Sequence, residues 1–307
     1  MKKVKIIPLA LLALIFTLSG GLYACAPTLD TNSSSALEDS THSSTDSLDG
    51  VLDGASSSTN SSADSSTDTS ADSSSSQKED ASTETSKPTT PTTPQKTYVQ
   101  YIRSTGANVN IRSGAGTSYS VLGSAQKGTV YALSETVDGW HKTYYRGKTA
   151  YISASYGAIF TLEKSKNEKV NKVLSEGYKL IGVPYVYGAV RLHDGNGNLL
   201  KGFTAQKFDC SSLVQYVFYK GAGVLLNTTT RTQIKQGEYV HPDNLQAGDC
   251  IFFTNEQRQY NTGIERVGHV AIYLGNNYIL HTASDYACIE QISQKRWSFY
   301  IEARRFV

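Results

Sequence analysis

Residues 26–96 are dominated by Ser, Thr and Asp and hold almost no large apolar side chain, so this tract cannot bury enough surface to offset its ordering entropy. Any packed core must come from residues 97–307. As a flexible coil of roughly 70 residues the tract would reach on the order of 45 Å, and further where its charges repel. The Ser, Thr and Pro at 87–94 could also carry glycans, but a disordered spacer is the simpler reading.

Ahead of the tract, Lys2, Lys3 and Lys5 precede a mostly apolar run at 6–18 and the small residues Gly20, Gly21 and Ala24. This is the arrangement of a secretory leader, and the apolar run is too short for an ordinary membrane span. Leu-Tyr-Ala-Cys at 22–25 resembles the lipobox of bacterial lipoproteins, which implies lipidation of Cys25 and a membrane anchor, although Tyr23 is larger than that motif usually holds. Ala24, Cys25 and Ala26 also offer the small-x-small pattern of ordinary cleavage, which would release a soluble protein. Both routes put the folded part outside the cytoplasm.

The net charge of +2 hides a split. Residues 26–96 hold 12 acidic and 3 basic side chains, whereas residues 97–307 hold 15 acidic and 23 basic ones. The folded part therefore carries about +8, which suits an anionic polymer; nucleic acid is a poor partner for a secreted chain, and a merely solvated basic surface stays open.

Within 97–307 the chemistry gathers on two stretches. Phe-Asp-Cys-Ser-Ser-Leu-Val-Gln-Tyr-Val-Phe-Tyr-Lys at 208–220 places Leu213, Val214, Val217 and Phe218 on one helical face, with Gly221 where a stop belongs. Cys210 then lies in the first turn, where the helix dipole and free N–H groups are expected to lower its thiol pKa below about 8.5. A buried structural cysteine is the alternative.

The second stretch, 267–281, reads strand-turn-strand. A three-residue turn at 275–277 pairs Leu274 with Tyr278 and Ala271 with His281, and His269 shares the face of Ala271. The two imidazoles fall diagonally beside each other, while Val270, Ile272 and Leu274 point to the other face. One histidine can act as base and the other can orient it.

Residues 98–160 read differently: short alternating strands at 108–114, 129–133, 139–145 and 149–152, separated by turns, indicate a small all-β barrel. Trp140 is expected in its core; Tyr144, Tyr145 and Tyr151 are left unassigned between core and ligand stacking. Residues 165–181 are helical in pattern, with Val170, Val173, Leu174 and Leu180 on one side.

Four motifs in order now support a resemblance: Gly-Val-Pro-Tyr-Val-Tyr-Gly at 182–188, the 208–218 stretch, Ala-Gly-Asp-Cys-Ile-Phe-Phe at 247–253, and Gly-His-Val-Ala-Ile-Tyr-Leu-Gly at 268–275. Together they resemble the NlpC family of papain-like cell-wall cysteine peptidases. Val-Asn-Ile-Arg-Ser-Gly at 109–114, Gly139-Trp140 and Gly-Lys-Thr-Ala-Tyr at 147–151 resemble the bacterial SH3-type domain. The implied organisation is a leader at 1–25, a linker at 26–97, an SH3-type barrel at 98–160, and an α+β papain-like domain at 161–307 with helices packed on an antiparallel sheet.

The resemblance implies a peptidoglycan hydrolase that cuts stem peptides, usually between D-glutamate and the diamino acid. It makes Cys210 the nucleophile, His269 the base and His281 the residue that orients it. Tyr185 matches the tyrosine beside the nucleophile, and Asp209 and Ser211 match positions that in some members hold the amino end of the substrate. Partners would be stem peptides, anionic wall polymers and, through Cys25, the outer face of a bacterial membrane. Another wall amidase or transpeptidase on the same scaffold, or a non-catalytic wall-binding lipoprotein, remains open.

The chain departs from the family in a longer loop at 190–206, in Ser212 where glycine is usual, and in Tyr187 where tryptophan is common. Asp194, Asn196 and Asn198 look like part of a calcium loop without its downstream acid. No Cys-x-x-Cys, His-x-His or His-Glu-x-x-His pattern supports a metal or other cofactor. Cys250 and Cys288 either pair or stay as buried thiols, the latter being the better reading.

Overall fold

The computed structural model describes residues 95–307; the leader, Cys25 and the linker through residue 94 lie outside the described residues. Eight strands come first: β1 (Tyr98–Ser104), β2 (Val109–Arg112), β3 (Val121–Ala125), β4 (Val130–Ala132), β5 (Glu135–Val137), β6 (Trp140–Tyr145), β7 (Lys148–Ser153) and β8 (Gly157–Glu163). They form a five-stranded sheet in the order β3-β2-β7-β6-β5 and a three-stranded sheet in the order β4-β1-β8. Strict alternation along β6 buries His141, Thr143 and Tyr145. That alternation leaves Trp140 half-buried on the outward side rather than in the core, contrary to the sequence expectation. The inward place belongs to His141, whose Nδ1 meets Thr136 Oγ1 at 2.8 Å. Tyr101, Ile102, Ile111, Tyr131 and Ile152 fill the barrel instead.

The rest of the chain supplies α1 (Glu168–Lys179), α2 (Cys210–Ala222), α3 (Thr230–Gln233), β9 (Glu238–Val240), β10 (Cys250–Phe253), β11 (His269–Gly275), β12 (Tyr278–Ala283), β13 (Tyr286–Gln291), α4 (Gln294–Ser298) and β14 (Tyr300–Arg305). Six strands form an antiparallel sheet in the order β13-β12-β11-β10-β14-β9. Val270, Ile272 and Leu274 join the core that includes Val173 and Leu174 of α1 and Leu213, Val214 and Val217 of α2. Ala271, Ile279, Ile251 and Phe253 form a second cluster with Ala303. The alternation expected for β11 is thus the alternation found.

Two local expectations change. The helix does not stop at Gly221: α2 runs on to Ala222 and is closed by Gly223 in the left-handed region at φ 69°, where glycine carries no steric cost. Gly221 serves packing, since a Cβ there would lie 2.5 Å from the Val173 backbone of α1. In the hairpin, Ile272 pairs with Leu280, in the register that aligns Ala271 with His281, but Gly275 rather than Leu274 pairs with Tyr278. Asn276 and Asn277 both have positive φ, 46° and 66°, which makes a two-residue primed turn with a bulge beside it in place of a three-residue loop.

The barrel and the six-stranded sheet share one hydrophobic core. Tyr101 and Tyr178 meet hydroxyl to hydroxyl at 2.6 Å, Phe160 stacks on Tyr278 at 5.1 Å between centroids, and the Arg103 guanidinium bonds the Tyr278 hydroxyl. At the β6–β7 turn, Arg146 donates from its backbone to Ile181 O and from Nε to Gly182 O, and Gly147 N–H reaches Lys179 O. Gly182, at φ 86°, faces the Tyr145 ring so closely that a Cβ would sit 2.2 Å from it. The barrel therefore fixes the start of the 182–188 stretch, whose Pro184 and Tyr185 bridge to Tyr286 and Phe208.

Candidate active site

Cys210 is placed by the chemistry of a helix start. Asp209 is the N-cap: its Oδ1 accepts the Ser212 N–H at 2.8 Å, and Ser212 Oγ accepts the Asp209 N–H at 2.9 Å, a reciprocal capping box. Ser212, the departure from the usual glycine, is thus fully buried and employed. Cys210 follows as the first helical residue, with 9% of its surface exposed. The backbone N–H groups of Val270 and Ser211 favour the charged form of its sulfur, and Cys210 and Val270 belong to one hydrophobic core. Val270 follows His269 on β11, so the thiol lies against the start of the strand that carries the expected base.

The thiol is not activated at rest as the sequence suggested. Burial pushes its pKa up to about 12 and the neighbouring Asp209 charge adds to the rise, while the Val270 and Ser211 N–H groups and Arg191 pull it down by less. The local helix-start effect is outweighed by loss of water. Tyr185, half-buried, feels the same surroundings: burial first, then Cys210 and Asp209, raise its phenol to about 12.

The histidines stand on adjacent strands. His269 Nε2 and His281 Nδ1 are 3.0 Å apart, with the rings at 82°. Burial holds the imidazole of His269 well below its ordinary pKa, helped by His281 and Arg296. Burial also lowers His281, against an upward pull from Glu290. Both rings are therefore neutral near pH 7. Behind them the line continues through residues that the sequence reading missed. His281 Nε2 lies 3.1 Å from Glu290 Oε1, and Arg296 Nη2 lies 2.8 Å from that same oxygen. Glu290 sits two residues along β13 from Cys288, the cross-strand partner of His281. An acid at period-two spacing on a buried strand face was the available signal.

His281, Cys288 and Glu290 each bring one ligand-type atom within 4.8 Å of the others, a grouping that could hold a metal ion. In this structure the carboxylate is tied to the Arg296 guanidinium and the imidazole, and Cys288 Sγ is 3.6 Å from His281 Nε2. Cys250 on β10 and Cys288 on β13 are separated by β11 and β12, too far apart to bridge each other, so the unbridged reading of that pair is the one found.

Asp209 and Ser211 are already engaged. Arg191, from the long loop, places Nη2 at 2.7 Å from Asp209 Oδ2 and 3.2 Å from Ser211 Oγ. The same oxygen takes the Gly188 N–H at 3.2 Å, and Ser211 Oγ donates to Asp209 Oδ1 at 3.0 Å. Arg191 itself is held by Thr228 O through Nε and by Ala189 O through Nη1. The loop is anchored further on, where Gln215 Nε2 donates to His193 O at 3.1 Å. Asp194 turns its carboxylate onto the backbone of Asn196 and Asn198.

Residues 182–305 match the NlpC/P60 family model, and residues 107–158 match the bacterial SH3 domain model. Gamma-DL-glutamyl hydrolase of Bacillus subtilis is 33% identical over 151 residues, 49% of this chain and 32% of that protein. The probable peptidoglycan endopeptidase LytE of the same species is 30% identical over 138 residues, 45% of this chain and 34% of the relative. Gamma-D-glutamyl-L-lysine dipeptidyl-peptidase of Bacillus cereus is 25% identical over 182 residues, 57% of this chain and 48% of the relative. The chain spans about a third to a half of the length of these relatives. It joins a bacterial SH3 domain to a domain of the NlpC/P60 family.

Proposed function

We propose that this chain is a cysteine endopeptidase of peptidoglycan that cuts stem peptides at the bond after D-glutamate. The observation that carries the reading is a buried thiol on a capped helix start, packed in the same core as Val270 of the strand that carries His269, together with the His269–His281 couple at 3.0 Å. The family match and the names of the relatives point to the same substrate class.

With a neutral thiol and a neutral imidazole, the proton moves as the bond forms. His269 takes the Cys210 proton while sulfur attacks the scissile carbonyl, then returns it to the leaving amine as the carbon–nitrogen bond breaks. Water, deprotonated by His269, attacks the thioester and releases the acid and the free thiol. The Cys210 backbone N–H, one of the first-turn donors without an intrahelical acceptor, suits the oxyanion, a role worth about 3 kcal/mol per donor.

Arg191 bears on which peptides fit. Its guanidinium, the Gly188 amide and the cap share the Asp209 carboxylate, so a substrate ammonium would have to displace a partly buried cation. Stem peptides whose amino end is acylated suit this site better than free ones. The surplus of basic residues in 97–307 fits anionic wall polymers, and lipidation at Cys25 would anchor the enzyme outside the membrane.

The test uses full-length protein, reduced, with muropeptides and mass-spectrometric readout. The native form is expected to cleave after D-glutamate, faster on acylated than on free stems, and a folded Cys210→Ala variant is expected to lose at least about a thousandfold in rate. Turnover retained in that variant, or no cleavage with retention on sacculi, overturns the peptidase reading.

A further inference from the structure

A base must present a bare lone pair, and nothing in an isolated imidazole decides which nitrogen that is. In this protein the decision can be followed from solvent-side charge to cleft. The Arg296 guanidinium is a donor at every nitrogen, and it contacts Glu290 Oε1 at 2.8 Å. The oxygen that receives that hydrogen bond also faces His281 Nε2 at 3.1 Å, so the imidazole nitrogen must be the donor. His281 then carries its hydrogen on Nε2 and has an open lone pair on Nδ1. That lone pair faces His269 Nε2 at 3.0 Å, which must in turn carry a hydrogen. The remaining nitrogen of His269, Nδ1, is left bare.

We propose that Glu290, held by Arg296, is a positioning residue of this site that fixes the tautomers of both histidines and leaves His269 Nδ1 free to accept the thiol proton. The role in turnover rests on the peptidase reading above; the tautomer order does not. Reversing the order has a definite cost. With hydrogen on His281 Nδ1, the hydrogen bond to His269 would run the other way and put the His269 hydrogen on Nδ1, a donor where an acceptor is needed. Cys288, 3.6 Å from His281 Nε2, cannot impose the order, because sulfur is a weak acceptor.

The arginine has its own part. A lone carboxylate behind His281 would orient the ring but also favour imidazolium, which cannot act as base. Glu290 pulls both rings up in pKa and Arg296 pulls both down. Burial is the larger cause of neutrality in both rings, and Arg296 offsets part of what Glu290 would add against it, so the ion pair orients His281 without charging it. His269 of β11, His281 of β12, Cys288 and Glu290 of β13 and Arg296 of α4 are joined in this line by the contacts given.

The test is ring-nitrogen NMR on full-length protein labelled with nitrogen-15 at histidine, with His281→Gln used to assign the signals, alongside kcat and KM on muropeptides. The native spectrum is expected to show both His269 and His281 protonated at Nε2. Glu290→Leu is expected to mix the tautomers and lower kcat about 10- to 100-fold at constant KM. Glu290→Gln, whose amide oxygen can still accept, is expected to recover most of that loss. In a His281→Gln background, Glu290→Leu is expected to change kcat less than about twofold, because the residue acts through the missing ring. A native His281 protonated on Nδ1 overturns the proposal, and so do unchanged tautomers in folded Glu290→Leu. If Glu290→Leu does not fold, the native and Glu290→Gln spectra decide. Correct tautomers in a protein that cuts no muropeptide would uphold the positioning and sink the peptidase reading instead.

Discussion

Behind Cys210 the Asp209 carboxylate meets Arg191 at 2.7 Å, and behind His281 the Glu290 carboxylate meets Arg296 at 2.8 Å. The two pairs look alike but serve different partners. Asp209 spends its oxygens on backbone: the Ser212 N–H of the helix cap and the Gly188 N–H of the loop. Its charge raises the thiol pKa, so it places the Cys210 thiol at some cost to ionisation. Glu290 instead faces an imidazole, where its charge favours a directed hydrogen bond while burial, with a smaller pull from Arg296, keeps the ring from protonating. The comparison teaches that a buried carboxylate can be scaffolding on one side of a site and electronic control on the other, according to what it accepts from.

The largest expected effect tests the scaffolding side. Asp209→Ala removes the cap and leaves Arg191, with only 18% of its side chain exposed, without its anion; breaking such a pair costs about 3 to 5 kcal/mol. Urea unfolding of Asp209→Ala should show that loss, whereas Glu290→Gln should stay within about 1 kcal/mol of native. A loss below about 1 kcal/mol for Asp209→Ala would erase the distinction drawn between the two carboxylates.

The next effect separates the halves by pH. Cys210 keeps its proton to about pH 12 when folded, while a free thiol loses it near 8.5. Between those values the folded state binds the extra proton, so stability falls as pH rises, by about 1.4 kcal/mol per pH unit. The histidines have the opposite sign. His269 and His281 are held below their ordinary pKa, so below about pH 6.5 the unfolded chain gains protons first and stability falls as pH falls. His141 and His193 add to the acid side, and Cys250 to the alkaline side. Unfolding midpoints in reductant at pH 5, 7 and 9.5 should show Cys210→Ala flattening only the alkaline limb and His281→Gln only the acid limb. Any crossover between limbs would contradict the assigned burial of one group.

How far these halves could be read from sequence follows from the range of the interactions. The helix start, the helix face and the register that aligns Ala271 with His281 rest on residues a few positions apart, and all were legible, whereas the Asp209 cap was found only in the structure. Gly221 and Gly223 could not be told apart, because the helix stop is local while the approach of Val173 is not. Asn276 and Asn277 both tolerate positive φ, which allowed the shorter turn that Gly275 obscured. Trp140 was read by its type rather than by the alternation that sends His141 inward. Arg191, Glu290 and Arg296 come from a loop, a distant strand and a short helix, and only folding brings them behind the site. The thiol pKa failed for the same reason: a helix start is written in the sequence, whereas the burial that outweighs it is assembled from β11 and the packed core.

The smallest expected effect sharpens the scaffolding side at its finest point. Ser212 is buried, and its Oγ both accepts the Asp209 N–H at 2.9 Å and reaches the Asp209 O at 3.1 Å. Ser212→Gly removes that half of the box and adds backbone freedom to the first turn, for a combined loss of about 1 kcal/mol. Asp209 Oδ1 still receives the residue 212 N–H, so Cys210 should keep its place and kcat/KM should change less than about twofold. Thermal unfolding and muropeptide kinetics on the same sample decide the point. A rate loss much larger than the stability loss would mean that the serine holds the Cys210 thiol itself, and that the two sides of the site are less separate than their hydrogen bonds imply.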